Sequence, residues 1–110
     1  MPQAQPITEE TLKKIRDFAP KLMELTDDVL FGDIWERPGL SKRDRSLITV
    51  AALVALYRIN ELPSHLVRAR ANGISKDELV ELFIHLAFYA GWPNAMTAVR
   101  AAIELWDETE

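Results

Sequence analysis

Three residue types at close spacing indicate acid–base chemistry. Arg58, Glu61 and His65 follow directly on a run from Leu47 to Tyr57 that is almost entirely apolar. Glu61 and His65 are four residues apart, so on one helix they share a face and can touch. A carboxylate beside an imidazole orients the ring and raises its proton affinity, which gives a centre for proton transfer near neutral pH. We therefore expect His65, Glu61 and Arg58 to be the catalytic residues.

Each of these residues also has an ordinary structural alternative. His65 could serve an interhelical hydrogen bond, and Arg58 could satisfy the last carbonyls of the preceding helix instead of binding a substrate carboxylate. His85 lies in an apolar helix four residues before Tyr89. A histidine in such a helix is more often a satisfied core residue than a catalyst, but His85 and Tyr89 could also line the same pocket from a facing helix.

Two further residues are candidates for contact with a ligand. Arg45 adjoins the apolar run, where it could pair with a carboxylate of a ligand or of a neighbouring subunit. Trp92, like Trp35, lies among glycines and prolines, where an aromatic ring either lines a pocket or fills a subunit interface. The interface is favoured for both tryptophans. The histidines and carboxylates have no metal-ligand spacing such as His-Glu-x-x-His, so no metal site is predicted.

The composition excludes several classes of function. The chain has 110 residues, no cysteine, and 17 acidic against 13 basic residues, with a net charge of −4. Thiol chemistry and disulfides are therefore excluded, and nothing indicates binding to nucleic acid. The apolar runs are too short and interrupted to span a membrane, and the N-terminus has no signal pattern, so we expect a cytoplasmic protein. Hydrophobic residues make up 48% of the chain, many in helices apolar on more than one face, which predicts a homo-oligomer.

The elements that must position these residues are predicted to be helices of one all-α domain spanning residues 1–110, with a loose arm at residues 1–7. No segment alternates as a strand does. The first helix is capped by Thr8, and its apolar stripe is Leu12, Ile15 and Phe18. The second begins at Pro20, and its inward-facing residues are predicted to be Leu22, Met23, Leu25, Val29 and Leu30.

Four further helices complete the predicted fold. The third runs from about residue 42 to 57, is capped by Ser41, and should be the central buried helix because its second half is apolar all round. The fourth is capped by Asn60 and ends near residue 72. The fifth opens with a capping box at Ser75 and ends near residue 90. The sixth starts at Pro93 and carries small residues that allow close packing: Ala95, Ala98, Ala101 and Ala102.

Four stretches of the chain, taken in order, resemble the carboxymuconolactone decarboxylase family: residues 35–53, 58–65, 71–79 and 85–95. The alkylhydroperoxidase D-like branch of that family has a Cys-x-x-Cys pair seven and four residues before the histidine that matches His65. Arg58 and Glu61 occupy those positions here, and Ser46 stands where that branch has an upstream glutamate. A thiol cycle that reduces peroxide is therefore excluded, and the resemblance is to the true decarboxylases.

The resemblance implies a six-helix subunit of the alkylhydroperoxidase D-like fold in a hexameric ring, a trimer of dimers. It implies cofactor-free decarboxylation of 4-carboxymuconolactone to the β-ketoadipate enol-lactone in aromatic-compound catabolism. On this scheme His65 donates the proton and is oriented by Glu61; in the exchanged roles, Glu61 is the acid and His65 donates to the developing oxyanion. Arg58 or Arg45 would anchor a substrate carboxylate, and His85 or Tyr89 would donate to the lactone oxygen.

Three residues beside the expected pocket depart from the family pattern. Pro63 and Ser64 replace bulkier or charged residues, and Trp92 replaces a small apolar one. Two alternatives therefore stay open. The protein could be a cofactor-free isomerase or hydrolase of another lactone or β-keto acid, or it could be a ring-forming member of the family without catalytic activity.

Overall fold

The chain folds into helices only, across the range that the structure describes. The structure is a computed structural model that describes residues 7–109, and side chains as far as residue 106. Its six α-helices are α1 (Glu9–Phe18), α2 (Pro20–Leu25), α3 (Lys42–Ala55), α4 (Leu62–Ala71), α5 (Lys76–Tyr89) and α6 (Trp92–Thr109). A π-helical turn (Thr26–Phe31) and a 3-10 turn (Ile34–Glu36) connect α2 to α3. The all-α prediction is confirmed, and the predicted loose arm lies outside the described residues except for Ile7.

The helix starts are capped largely as predicted. The Thr8 and Ser41 hydroxyls each accept a hydrogen bond from the amide three residues further on, at 3.1 and 3.0 Å. At the start of α5 both halves of the capping box form, because the Ser75 hydroxyl accepts from the Glu78 amide and the Glu78 carboxylate accepts from the Ser75 amide. No helix in the described part of the chain is long and apolar enough to cross a membrane.

The start of α4 differs from the prediction. Glu61, not Asn60, is the residue before the helix, and Pro63 is its second residue instead of its third. The Arg58 carbonyl accepts from the amides of both Glu61 and Leu62. A tight turn therefore uses up residues 58–61 before the helix can begin, which shortens α4 at its N-terminus.

The hydrophobic core lies between α3, α4, α5 and α6. It is formed by side chains that are nearly or fully buried: Val50, Val54, Leu62, Leu66, Ala69, Ile74, Leu79, Phe83, Ala98, Ala101 and Trp106. Three of the four small residues predicted to allow close packing of α6, Ala95, Ala98 and Ala101, are buried. Only one face of α3 is buried, however, since Ile48 and Leu56 are exposed. The helix predicted to be central therefore packs on α4, α5 and α6 but leaves part of its apolar surface exposed.

The N-terminal helices lie outside this core. None of the residues of α1 is buried, and Phe18 is 92% exposed. Of the five side chains predicted to face inward from the second helix, only Met23 is buried. The others fail because α1 packs on α2 instead of on α3–α6, and because the helix widens into the π-helical turn at Thr26. The radius of gyration is 14.5 Å, above the value of about 13 Å expected for a compact chain of this length.

A second apolar surface runs along the outside of α5 and α6. Its members are exposed on both helices: Val80, Ile84, Phe88, Trp92, Met96 and Ile103. Phe88 and Trp92 contact each other edge to face, with ring centroids 5.8 Å apart. A contiguous apolar stripe of this kind is unusual on a monomer and typical of a surface that another protein covers.

Candidate active site

His65 lies at the end of a stack of three rings. Its imidazole is 6.3 Å from the Trp35 ring, centroid to centroid, at an interplanar angle of 24°. Trp35 in turn stacks on Phe31 at 5.9 Å and 29°. Trp35 is only 7% exposed, so one side of the imidazole is covered by an apolar wall.

Local geometry places each of these rings. Phe31 ends the π-helical turn, and Trp35 is the middle residue of the 3-10 turn. The chain between them turns at Gly32, where a Cβ atom would lie 2.7 Å from the Asp28 carbonyl oxygen. Only glycine fits that close approach. His65 is the fourth residue of α4 and meets Trp35 from the helix side.

A positive charge completes this cluster. The guanidinium carbon of Arg68 lies 4.1 Å from the centre of the Phe31 ring and 5.5 Å from the centre of the Trp35 ring. Both distances are within the range of a cation–π contact. Arg68 is three residues after His65, on the same face of α4. We call Phe31, Trp35, His65 and Arg68 the stacked cluster.

The surroundings of His65 favour its neutral form. Burial lowers the pKa of His65 below its ordinary value, the positive charge of Arg68 lowers the pKa further, and the negative charge of Glu61 raises it less. The His65 Nδ1 atom is buried and has no hydrogen-bond partner in the described part of the chain. Glu61 therefore raises the pKa of His65, as predicted, but burial and Arg68 lower it more. The proton affinity of the ring falls instead of rising.

Glu61 lies close enough to His65 to act on its charge, but it does not orient the ring. It is the residue before α4, and its carbonyl accepts a hydrogen bond from the Ser64 hydroxyl at 3.0 Å. Among the described residues, no hydrogen bond joins the Glu61 carboxylate to the imidazole. The ring is instead oriented by stacking on Trp35, which the spacing of Glu61 and His65 alone did not indicate.

Arg58 contributes its backbone to the structure. Its amide donates to the Leu53 carbonyl at 2.8 Å, and the Tyr57 amide donates to the Val54 carbonyl at 3.1 Å. These two bonds end α3 in a Schellman motif, the paired C-terminal bonds that require a left-handed residue between them. That residue is Tyr57, with φ 59°. The Arg58 side chain is exposed.

Arg45 reaches towards the segment that carries Trp35. Its Nη2 atom donates to the Arg37 carbonyl at 3.1 Å, directly after the 3-10 turn. Its Nε atom is buried and has no hydrogen-bond partner within residues 7–106. A guanidinium with an unsatisfied N–H donor can bind an anion, which is the role predicted for Arg45. The structure also shows that Arg45 holds the chain after Trp35.

His85, Tyr89 and Trp92 lie on a different surface. His85 and Tyr89 stack on each other at 4.8 Å, and all three residues are exposed. His85 lines a groove of about 530 Å³ together with Arg43, Glu78 and Glu81. Across the described residues, no hydrogen bond or ring contact connects these three side chains to His65. Whether the two histidines line one pocket stays a prediction.

Ser46 has a structural role. Its side chain is buried and accepts a hydrogen bond from the Asn72 amide group at 2.9 Å. That bond ties α3 to the C-terminal end of α4. The same Asn72 group also approaches the Lys42 carbonyl at 3.4 Å. Among the described residues, no three histidine, aspartate or glutamate side chains are grouped so that they could hold a metal ion.

Phe31 and Arg68 were not predicted from the sequence as part of the site, and Trp35 was predicted to lie at a subunit interface. The aromatic pair at spacing four, Phe31 and Trp35, was a usable signal. So was the spacing of three between His65 and Arg68. Neither indicates on its own that the two pairs meet.

Comparison with known proteins gives a consistent result. The sequence profile of the carboxymuconolactone decarboxylase family matches residues 20–104. Over 98 residues the chain is 39% identical to the 4-carboxymuconolactone decarboxylase of Acinetobacter baylyi. The aligned region covers 89% of this chain and 73% of that protein. Over 91 residues it is 32% identical to the nitrosuccinic acid decarboxylase npaB of Metarhizium robertsii, which covers 83% of this chain and 64% of that protein.

Proposed function

The chain belongs to the carboxymuconolactone decarboxylase family, and we propose that it removes carbon dioxide from 4-carboxymuconolactone or a closely related acidic lactone. Both relatives are decarboxylases by name, and this chain is likewise a carboxy-lyase. The observation that carries the proposed substrate class is the stacked cluster, in which an imidazole, an apolar wall and a cation lie side by side. This arrangement suits a small anionic ring that releases one carboxylate as neutral carbon dioxide and then takes up a proton.

The substrate itself supplies the electron sink. Its departing carboxylate sits on a ring carbon that is conjugated, through the double bond, to the lactone carbonyl. Loss of carbon dioxide leaves an electron pair that spreads onto the carbonyl oxygen, so the scheme needs no cofactor. The protein must then bind the substrate, surround the carboxylate with apolar groups and supply a proton to the ring carbon next to the lactone carbonyl.

Trp35 and Phe31 are proposed to form the apolar wall. A carboxylate held against these rings loses hydration, whereas the carbon dioxide that it becomes does not need any. Because Trp35 is buried and stacked on His65, the wall and the acid–base group are adjacent. The reacting carbon is proposed to lie beside both.

His65 is proposed to be the proton donor, with Glu61 favouring its charged form. In the free protein the pKa of His65 lies below its ordinary value, so the ring is mostly neutral at pH 7. A bound substrate brings negative charge to the cluster and raises the pKa of the ring. The imidazole then becomes charged together with substrate binding and, after carbon dioxide leaves, passes its proton to the ring carbon next to the lactone carbonyl, which gives the enol-lactone.

Arg45 and Arg58 remain the proposed anchors for the substrate carboxylates. The buried, unpartnered Nε atom of Arg45 supports its role. The roles predicted for His85, Tyr89 and Trp92 in substrate binding require that a second subunit complete the pocket, since these residues lie apart from the stacked cluster. Subunits are proposed to assemble into a ring, a hexamer by family resemblance, and the exposed apolar stripe on α5 and α6 supports that assembly.

Nitrosuccinic acid is a second candidate substrate, favoured by the similarity to the Metarhizium robertsii enzyme. It too is a carboxylic acid in which an electron-withdrawing group, the nitro group, can take up the electron pair left by carbon dioxide. Both substrates fit the same scheme. A role in aromatic-compound catabolism belongs to the first candidate only.

The test is carbon dioxide release from 4-carboxymuconolactone, generated in situ, and separately from nitrosuccinic acid. The wild type and His65→Ala are compared, and size-exclusion chromatography checks that both have the same oligomeric state. Release by the wild type that is lost in the variant supports the proposal. Release by neither protein from either acid would contradict the proposed substrate class.

A further inference from the structure

Arg68 is placed to recognise an anion. Its guanidinium carbon lies over the Phe31 ring, 4.1 Å from the ring centre, which limits the positions that the group can take. Contact with the face of a ring leaves the N–H groups that point away from the ring available for hydrogen bonds. The side chain is exposed, so a small solute can reach those groups.

The structure gives Arg68 no anionic partner. Among residues 7–106, six ion pairs form, and none of them involves Arg68. An arginine held against two rings, beside a half-buried histidine and without a carboxylate, has the arrangement that binds a planar carboxylate through two parallel hydrogen bonds.

We propose that Arg68 binds one carboxylate of the substrate and thereby fixes the substrate beside His65. The identity of the substrate rests on the proposed function, whereas the recognition of a carboxylate does not. Arg68 is better placed for this task than Arg58, which has no ring contact or ion pair in the described part of the chain. It is also less engaged in the fold than Arg45, which holds the Arg37 carbonyl.

A bound carboxylate also changes the charge that His65 experiences. The groups whose charge acts on the imidazole are Arg68, which lowers its pKa, and Glu61, which raises it. Trp35, which covers the ring from the loop side, carries no charge. A carboxylate on Arg68 would offset its positive charge, so binding and protonation of His65 would be coupled. Arg68 would in this way help to deliver both the substrate and the proton.

The first test separates binding from turnover. In Arg68→Gln, we expect KM for the substrate to rise about 10- to 100-fold, because two charge-assisted hydrogen bonds are lost, with a smaller change in kcat. Arg68→Lys should fall between the wild type and Arg68→Gln, since lysine keeps the charge and loses the paired geometry. The matched control is Arg70→Gln, which removes an arginine of the same helix that stacks on Trp106, 5.2 Å from its ring centre.

The second test does not depend on the substrate. Succinate is titrated into the wild-type protein while the imidazole C–H resonances are followed by NMR. The chain has two histidines, so the His85 signal serves as an internal reference. We expect succinate to shift the His65 signal in the wild type and in Arg70→Gln, and to lose this effect at the same concentrations in Arg68→Gln.

These outcomes distinguish the two proposals. An unchanged KM in Arg68→Gln, or an equal response of His65 to succinate in that variant, would overturn the role of Arg68 and leave the decarboxylase intact. Absence of turnover by the wild type, with a succinate effect that needs Arg68, would contradict the substrate and keep the carboxylate site. A drop in kcat and in melting temperature with KM unchanged would mean that Arg68 is only structural.

Discussion

The two histidines of this chain are each stacked on an aromatic ring, yet their surroundings differ. His65 packs on Trp35, which is buried, and lies beside Arg68 and Glu61. His85 packs on Tyr89, which is 79% exposed, on the outside of α5. A ring contact alone therefore does not distinguish the two histidines. Burial of the stacking partner, and a nearby arginine that forms no ion pair among the described residues, make His65 the stronger candidate.

The largest expected difference between the two histidines is in turnover. His65→Asn should lower kcat about 10²- to 10⁴-fold, the usual contribution of a positioned proton donor. His85→Asn should change kcat less than threefold if the pocket lies within one subunit. Steady-state kinetics on both variants decide this. A comparable collapse in His85→Asn would show that a second subunit brings its histidine to the pocket.

The aromatic partners should differ next, in stability. Trp35→Ala removes a buried ring and should lower the free energy of unfolding by about 3 kcal/mol. Tyr89→Ala removes an exposed ring and should cost less than about 0.5 kcal/mol. Urea unfolding monitored by circular dichroism measures both. A large loss for Tyr89→Ala would reveal that its surface is covered in the assembled protein.

The pH dependence tests the role of His65 within the same comparison. If the free protein must acquire a proton on His65 to react, kcat/KM should fall tenfold for each unit of pH above the lowered pKa of that residue. This fall of kcat/KM with pH should be absent from the residual activity of His65→Asn and present in His85→Asn. A kcat/KM that rises with pH over the same range would assign His65 the exchanged role, a neutral donor to the lactone oxygen.

The smallest expected effect concerns the backbone turns next to the two helices that carry the histidines. The turn before α4 contains Tyr57 in the left-handed region, with φ 59°, whereas the turn after α5 contains Gly91, with φ 106°. A non-glycine residue in the left-handed region costs roughly 1–2 kcal/mol of stability. Glycine avoids this cost, but its greater conformational entropy in the unfolded chain offsets part of the gain. Tyr57→Gly should therefore stabilise the protein by about 0.5–1 kcal/mol.

Thermal or urea unfolding measures that change, and the end of α4 offers the control. There Gly73 occupies the same position of a Schellman motif, with φ 97°, and Gly73→Ala should destabilise the protein by a similar amount. If Tyr57→Gly is destabilising, the tyrosine side chain makes contacts that exceed the backbone strain.

Local sequence signals predicted the elements well and the site in part. The caps at Thr8, Ser41 and Ser75 depend on residues three positions apart, so a short window contains them. The proximity of Glu61 and His65 follows in the same way. Arg68 was not predicted as a site residue because the rings that it contacts belong to a segment more than thirty residues earlier. Only the folded chain brings these together.

Two sets of predictions depended on contacts that a short window does not contain. Whether His85 shares a pocket with His65 depends on which face of α5 points at α4, and an apolar helix leaves that face undetermined, so this grouping stays a prediction. The inward placement of Leu22, Leu25 and Leu30 is wrong because it assumed that apolar side chains are covered within one chain. In a chain with this many exposed apolar residues, that assumption does not hold.

The π-helical turn at Thr26–Phe31 has a consequence for how the chain tolerates insertions and deletions. A π turn holds one residue more than an α turn, so removal of one residue there could leave a continuous helix of nearly the same content. Because the wider turn already accommodates the extra residue, the side chains after such a deletion would keep nearly the same face of the helix, and Phe31 would stay beside Trp35 and Arg68. In a regular α-helix, by contrast, one deletion rotates every later side chain by about 100° around the helix axis. The π-helical turn is therefore a place where this protein could lose one residue without displacing Phe31.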